Sequence, residues 1–260
     1  MTIDPSHHSQ NHRTVNLANL NPANVSWSAI GGAGSAPASG ALRDTAAADK
    51  QTAGPIKHRL NLPQSLMRQM ALVEGRQGNF AKAIALLNRL IDCCPHSAED
   101  YNNRGVVYWR MGKLGQAIAD FNQALLINPA LHNAYNNRGN IQATRGNRAG
   151  AIADYERCLD LNPFNVRARI NLGVTYRETR RYGAARNCFD DALLFGQLEG
   201  QILAERVRTY HLRGDWNCAI ANYSAALTKL SQISPRQLDG RRMAQKVRGW
   251  LGQLMTAETA

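Results

Sequence analysis

Residues 98–131, AEDYNNRGVVYWRMGKLGQAIADFNQALLINPAL, decide the fold of this chain because they recur with a fixed period. The next segment, HNAYNNRGNIQATRGNRAGAIADYERCLDLNPFN at 132–165, aligns with them without an insertion. Both segments contain Tyr-Asn-Asn-Arg-Gly, and both continue to Ala-Ile-Ala-Asp at the same spacing. A period of about 34 residues is typical of stacked helical repeats, in which each unit covers the apolar face of its neighbour.

The same period extends to both sides of these segments. One column contains only alanine: Ala83, Ala117, Ala151, Ala185 and Ala219. Four residues later a large side chain recurs: Leu87, Phe121, Tyr155, Phe189 and Tyr223. Positions i and i+4 share a helical face, so a small and a large residue are predicted to interlock across each pair of helices. Before the alanine column, glycine separates the two helices of four units (Gly78, Gly112, Gly146, Gly214), and proline follows the second helix of three units (Pro95, Pro129, Pro163).

These columns resemble the tetratricopeptide repeat family. The best copy carries the most matches: Tyr101, Gly105, Tyr108, Ala117, Phe121, Ala124 and Pro129. The resemblance implies an all-α, right-handed α-solenoid of about five helix pairs over residues 61–233. The predicted units are 64–97, 98–131, 132–165, 166–199 and 200–233. The fourth unit departs from the pattern, with Arg180 at the inter-helix glycine and Gln197 at the proline, so we expect a different bend there. The style of the repeats is similar to that of bacterial, including photosynthetic, members of the family.

The two ends of the chain differ from the repeats. Residues 234–260 alternate apolar and basic side chains at helical spacing, which predicts a capping helix over the fifth repeat. Residues 1–60 are rich in Gly, Ala, Ser and Thr, and we expect a disordered N-terminal arm. Residues 25–30, with Trp27, form an apolar island in that arm. It is either a docking motif or a contact with the chain's own folded part.

Charge and composition limit the function. Lys and Arg number 31 against 19 Asp and Glu, a net charge of +12, which favours acidic partners. No phosphate-binding loop, placed nucleophile or metal-ligand spacing is found, so the sequence predicts a non-enzymatic protein without cofactor or metal. The five cysteines contain no CxxC pair and are expected to be reduced, in a cytoplasmic protein. The basic terminal helix leaves peripheral membrane association open.

Repeated asparagines suggest a binding surface. In the family resembled here, the first helix of each pair lines a groove that binds peptides or proteins. On those helices lie six asparagines: Asn102, Asn103, Asn136, Asn137, Asn140 and Asn171. Asparagine has poor helix propensity, so its recurrence suggests a use, and its amide can bond a peptide backbone. The row resembles the asparagine ladder of some members of the family. Alternatively, the amides satisfy neighbouring helices.

Arginines and one tryptophan complete the predicted site. Arg110, Arg167, Arg177 and Arg208 are candidates to bind carboxylates on a partner. Arg104 and Arg138 follow the asparagine pairs and are alternatively partners of adjacent helices. Trp109 is predicted either to line the groove or to pack in the core. Some members of the family bind a terminal acidic motif through a carboxylate clamp of Lys, Asn and Arg. A complete clamp is excluded here, because Arg167 is the one cation at the positions where the clamp needs Lys or Arg.

The sequence therefore favours a protein-interaction scaffold that binds a partner segment of acidic character, with assembly of a larger complex as one specific form. Acidic residues interrupt any continuous basic face in the first three repeats, which argues against nucleic acid. Binding to nucleic acid or an anionic surface, and self-assembly of the solenoid, stay open as alternatives.

Overall fold

The computed structural model describes residues 62–232 and 238–257. The predicted arm at 1–60 lies outside this part of the chain. Within it the chain forms eleven α-helices and no strand: α1 (Gln64–Gln77), α2 (Phe80–Cys93), α3 (Ala98–Arg110), α4 (Leu114–Ile127), α5 (His132–Thr144), α6 (Arg148–Leu161), α7 (Val166–Glu178), α8 (Tyr182–Leu193), α9 (Glu199–Arg213), α10 (Trp216–Ser231) and α11 (Leu238–Ala257). The predicted all-α solenoid is confirmed.

Small and large side chains interlock within each pair of helices, as predicted. The five alanines of the alanine column have no exposed surface, and the large side chains four residues later are 0–2% exposed. A glycine on the first helix makes room for the ring on the second. A Cβ added at Gly105 would lie 2.7 Å from the ring of Phe121, and one at Gly139 would lie 2.8 Å from that of Tyr155. The ring therefore packs directly against the backbone of the first helix.

The turn inside the fourth repeat keeps the conformation of the others. Gly112 and Gly146 end their turns with φ of 77° and 79°, and Arg180 takes the same left-handed place with φ of 61°. The departure lies one turn later, where α8 ends at Leu193 and Leu198 has φ of 55° before α9. The fourth unit thus differs mainly in the loop where proline is missing.

Helix α11 covers the end of the fifth repeat. Val247 is fully buried in a cluster with Tyr223 and Leu230 of α10, and Met243 and Trp250 pack around it. Its basic residues Arg241, Arg242, Lys246 and Arg248 are exposed. This is the arrangement expected of a capping helix. Among the helices described, none is both long enough and apolar enough to cross a bilayer.

The helices form two layers. The first helices of successive repeats (α1, α3, α5, α7 and α9) contact one another directly, and each also packs on the second helix of its own repeat. The first helices of neighbouring repeats are thus closer to one another than the second helices of neighbouring repeats are. This is the arrangement on the concave side of a curved array. We call the side of the first helices that faces away from the second helices the inner face.

Candidate protein-binding face

The asparagines join adjacent first helices. The Nδ2 of Asn137 on α5 donates to the Oδ1 of Asn102 on α3, at 3.0 Å. One repeat later, the Nδ2 of Asn171 donates to the Oδ1 of Asn136 at 3.2 Å and of Asn140 at 2.8 Å. In the bonds Asn137–Asn102 and Asn171–Asn136 the donor lies 35 residues after the acceptor, which is one repeat plus one residue. The row therefore bridges three helices along the array.

Burial decides what these amides can contact. Asn102, Asn103, Asn136 and Asn137 have no exposed surface, and Asn140 is 2% exposed. The structure therefore departs from the expected accessible row of amides, because the side chains point between neighbouring helices. A peptide could reach these five only if the helices separated. Asn171 alone among the six predicted asparagines is half-buried.

Two of the inner-face arginines are held by carboxylates of the next repeat. Arg177 donates to Glu205 on α9, with Nη1 2.6 Å from Oε2 and 3.0 Å from the backbone oxygen. Arg68 forms two bonds to the fully buried Asp100, at 2.6 and 2.7 Å. The hydrogen bond to Asp100 raises the pKa of Arg68. Arg177, predicted to bind a partner, is thus occupied between α7 and α9.

Arg110 has a different environment. Its Nη1 donates to the backbone oxygen of Gly75, and its guanidinium lies 5.3 Å from the centre of the Phe80 ring. It forms no salt bridge within the described residues. Burial lowers the pKa of Arg110, because water is removed from the cation without a carboxylate in exchange.

Two further arginines extend the accessible charge along the array. Arg167, at the start of α7, is exposed. Arg208 on α9 is half-buried, with its guanidinium 5.2 Å from the centre of the Trp250 ring of α11. Neither residue forms a salt bridge to another described side chain. Arg76, which sequence reasoning missed, occupies the position of Arg110 one repeat earlier and is exposed. The repeat register alone would have identified it. We call Arg76, Arg110, Arg167 and Arg208 the groove arginines.

Trp109 belongs to the core. It is 8% exposed and packs with Val106, Phe121 and Ile141 between the second and third repeats. Of the two roles left open by the sequence, core packing is the one observed. Cys158 is likewise buried, and burial raises its pKa to about 12, which fits its predicted packing role.

A second set of arginines lies between the layers. Arg104 reaches from α3 to Asp120 on α4, with bonds of 2.8 and 2.7 Å, and to Asn88 on α2 at 2.8 Å. One repeat later the same three positions form the same bonds: Arg138, Asp154 and Asn122. These arginines hold three helices together, as one of the two interpretations of the sequence expected. They are not available to a ligand.

Paired helices stacked with their first helices in one layer define a helical-repeat solenoid. Models of the tetratricopeptide repeat match residues 98–131, 132–165 and 154–187. Residues 98–187 therefore contain tetratricopeptide repeats, and proteins built from such repeats bind protein or peptide partners. No curated protein matches the sequence.

Solved structures share the fold. PilW, a type IV pilus biogenesis factor, is 21% identical, with a TM-score of 0.63 over 75% of this chain and 89% of PilW. MamA is 18% identical, with a TM-score of 0.56 over 67% of this chain and 96% of its own. YrrB, described as having an unusual peptide-binding site, is 16% identical, with a TM-score of 0.54 over 70% and 90%. At these identities the likeness concerns the fold alone.

Proposed function

We propose that this protein is a non-enzymatic adaptor whose inner face binds an extended, acidic segment of a partner protein, in the assembly of a larger complex. The observation that carries the proposal is the environment of Arg110. Its guanidinium is partly removed from water, yet among residues 62–232 and 238–257 it contacts a carbonyl and an aromatic ring and forms no salt bridge. A carboxylate from a partner would supply the missing counter-charge.

The other groove arginines support the same class of partner. An arginine binds a carboxylate through two parallel N–H donors, and such charge-assisted bonds are about twice as strong as neutral ones. Arg76, Arg167 and Arg208 belong to α1, α7 and α9, so together with Arg110 on α3 they span most of the array. An extended chain with several Asp or Glu residues matches that distribution better than a compact ligand.

The pairing of charges argues against nucleic acid. Many arginines already face a carboxylate within 3.1 Å: Arg68, Arg104, Arg138, Arg169, Arg177 and Arg206. A phosphate backbone needs a continuous basic surface, and these pairs interrupt it. The count of 31 Lys and Arg residues thus overstates the number of cations that a ligand can meet.

A peptide-display selection tests the proposal. A random library of about 12-residue peptides is selected on the immobilised full-length protein, and enriched sequences are compared with the input. We expect enrichment of Asp and Glu, and binding that weakens as salt concentration rises. Enrichment of neutral or basic peptides would overturn the proposed acidic character.

Variants then locate the bound peptide. With the best selected peptide labelled, Arg167→Ala is expected to weaken binding about 1.4- to 5-fold, since an exposed charge contact is worth about 0.2–1 kcal/mol. Arg89→Ala is the matched control, because Arg89 is also exposed but lies on the second helix α2. Equal affinity of the wild type and Arg167→Ala, with a loss in Arg89→Ala, would place the binding surface on the outer layer.

A further inference from the structure

The first repeat exposes three apolar side chains on one helical face. Leu66, Met70 and Val73 of α1 are 40%, 38% and 44% exposed. Their spacing of i, i+4 and i+7 places them on a single stripe of the helix. Isolated exposed apolar residues are ordinary on protein surfaces, but a contiguous stripe at the end of a solenoid is a surface that can pair.

Equivalent residues in the later repeats indicate the role of this stripe. In every later repeat the equivalents of Leu66 and Val73 are buried: Asp100 and Val107, Ala134 and Ile141, Ala168 and Thr175, Ile202 and Thr209. Val107 packs into the apolar cluster of the first repeat, with Leu87 and Leu90. The stripe is therefore one half of a repeat-to-repeat contact. No preceding repeat in the described chain supplies the other half.

We propose that residues 25–30 of the same chain pack on this stripe and cover the N-terminal end of the solenoid. The segment Val-Ser-Trp-Ser-Ala-Ile contains Trp27, which is the only aromatic residue among the first 61. Val25 and Ile30 add apolar surface within a few residues of it. The sequence before Leu62 contains no denser apolar group with an aromatic anchor.

Chain connectivity favours this occupant over a second copy. Leu62, the first residue that the structure describes, packs against the core of the first repeat and precedes Leu66 of the stripe by four residues. Residues 31–61 separate Ile30 from Leu62. As a random chain, a segment of that length spans about 30 Å on average, which is longer than the roughly 11 Å of helix between Leu66 and Val73. A tether of this kind gives an effective concentration of about a millimolar, above that of a second protein in solution.

Site-specific photo-cross-linking tests the contact. The photoreactive residue p-benzoylphenylalanine replaces Trp27 in the full-length protein, and cross-linked peptides are mapped by mass spectrometry. We expect intramolecular cross-links to residues 66–73 in the monomer band. The same residue in place of Leu42 is the matched control, and it should yield at least about fivefold fewer cross-links to that stripe.

A charge placed in the stripe provides the second arm of the test. Met70→Asp and Val73→Asp each change an exposed side chain, so both variants should fold, as a retained thermal transition would verify. Each should reduce the Trp27-position cross-links several-fold. Cross-links that join two chains would overturn the proposal in favour of self-assembly. Equal yields from positions 27 and 42, or yields unchanged by both Asp variants, would also overturn it.

Discussion

A single arginine joins three helices in several repeats. In the fifth repeat its carboxylate and amide partners have exchanged positions. Arg206 on α9 bonds Asp190 on α8 at 2.9 Å and Asn222 on α10 at 3.1 Å. In the second repeat the order is reversed. Arg104 bonds the carboxylate of Asp120, which is equivalent to Asn222, and the amide of Asn88, which is equivalent to Asp190. The arginine therefore needs one carboxylate and one amide, in either order.

This exchange gives a prediction about stability. Asp120→Asn should lower the free energy of unfolding by about 1–3 kcal/mol, because a largely buried charge-assisted pair is lost. The double variant Asn88→Asp/Asp120→Asn recreates the order of the fifth repeat and should recover at least half of that loss. Urea denaturation of the three proteins measures both values. A double variant no more stable than Asp120→Asn would contradict the interchangeable roles.

His132 links stability to pH. Burial lowers its pKa, and its Nε2 lies 3.4 Å from the Nδ2 of Asn162. The unfolded imidazole takes up a proton as pH falls through about 6.5, whereas the folded one resists, so stability declines below that pH. We expect His132→Gln to reduce the loss of unfolding free energy between about pH 7 and 5.5. His96→Gln, at an exposed histidine, should leave that loss unchanged.

The asparagines mark the limit of sequence reasoning at this scale. Periodicity placed Asn102 and Asn136 on the first helices, but it could not say whether their side chains point into the groove or towards the next helix. That choice depends on how closely α3 and α5 approach, which is a property of packing. For the same reason the two interpretations of Trp109 could be separated only by its observed burial.

At the scale of the helix, glycine has a packing role that outweighs its poor propensity. Gly139 lies in the middle of α5, where alanine would favour the helix by about 1 kcal/mol. The ring of Tyr155 occupies the space that the extra methyl group would need. Tyr155 is 2% exposed, and its hydroxyl donates to Asn140 at 2.8 Å, so it cannot move aside easily.

We therefore predict that Gly139→Ala lowers the free energy of unfolding by about 1–3 kcal/mol through overpacking. Gly115→Ala on α4 is the control, since no heavy atom lies within 4 Å of its added Cβ. It should leave stability unchanged or raise it by up to about 1 kcal/mol. Chemical denaturation distinguishes the two. If both variants gained stability, the ring would not be fixed against α5.

The repeat register predicted the helix boundaries of the fourth unit up to the start of α8 at Tyr182, although Arg180 replaces the glycine there, but it did not predict the loop between α8 and α9. The register placed a turn at Arg180, but its left-handed conformation could not be predicted, because arginine lacks the conformational freedom of glycine and adopts that conformation only when the surrounding helices impose it. The loop before α9 contains two residues in that same region of φ, Gly196 and Leu198, and leucine is not a residue type that predicts it.

At the scale of the whole molecule, stability is expected to spread from repeat to repeat, so the ends matter most. Helix α11 closes one end through Val247, which is fully buried. Its apolar spacing and basic remainder allowed this role to be predicted from the sequence. The exposed apolar stripe on α1 could not be predicted from the sequence, because it is recognised only when the exposures of equivalent residues in the structure are compared.

Val247→Asp should therefore destabilise the fifth repeat by at least about 2 kcal/mol, since it places a carboxylate in an apolar cluster. Gln245→Asp introduces the same charge at an exposed neighbouring position and should have little effect. Thermal unfolding followed by circular dichroism measures both. A midpoint unchanged in Val247→Asp would show that α11 does not hold the end of the array.

The central claim is that an acidic segment binds along the groove arginines of the first helices. Hydrogen-exchange mass spectrometry of the full-length protein, with and without a selected acidic peptide, tests it directly. We predict slower exchange in α1, α3, α7 and α9, with α2, α4, α6 and α8 little changed. Protection confined to the second helices or to α11 would contradict the claim and move the binding surface off the inner face.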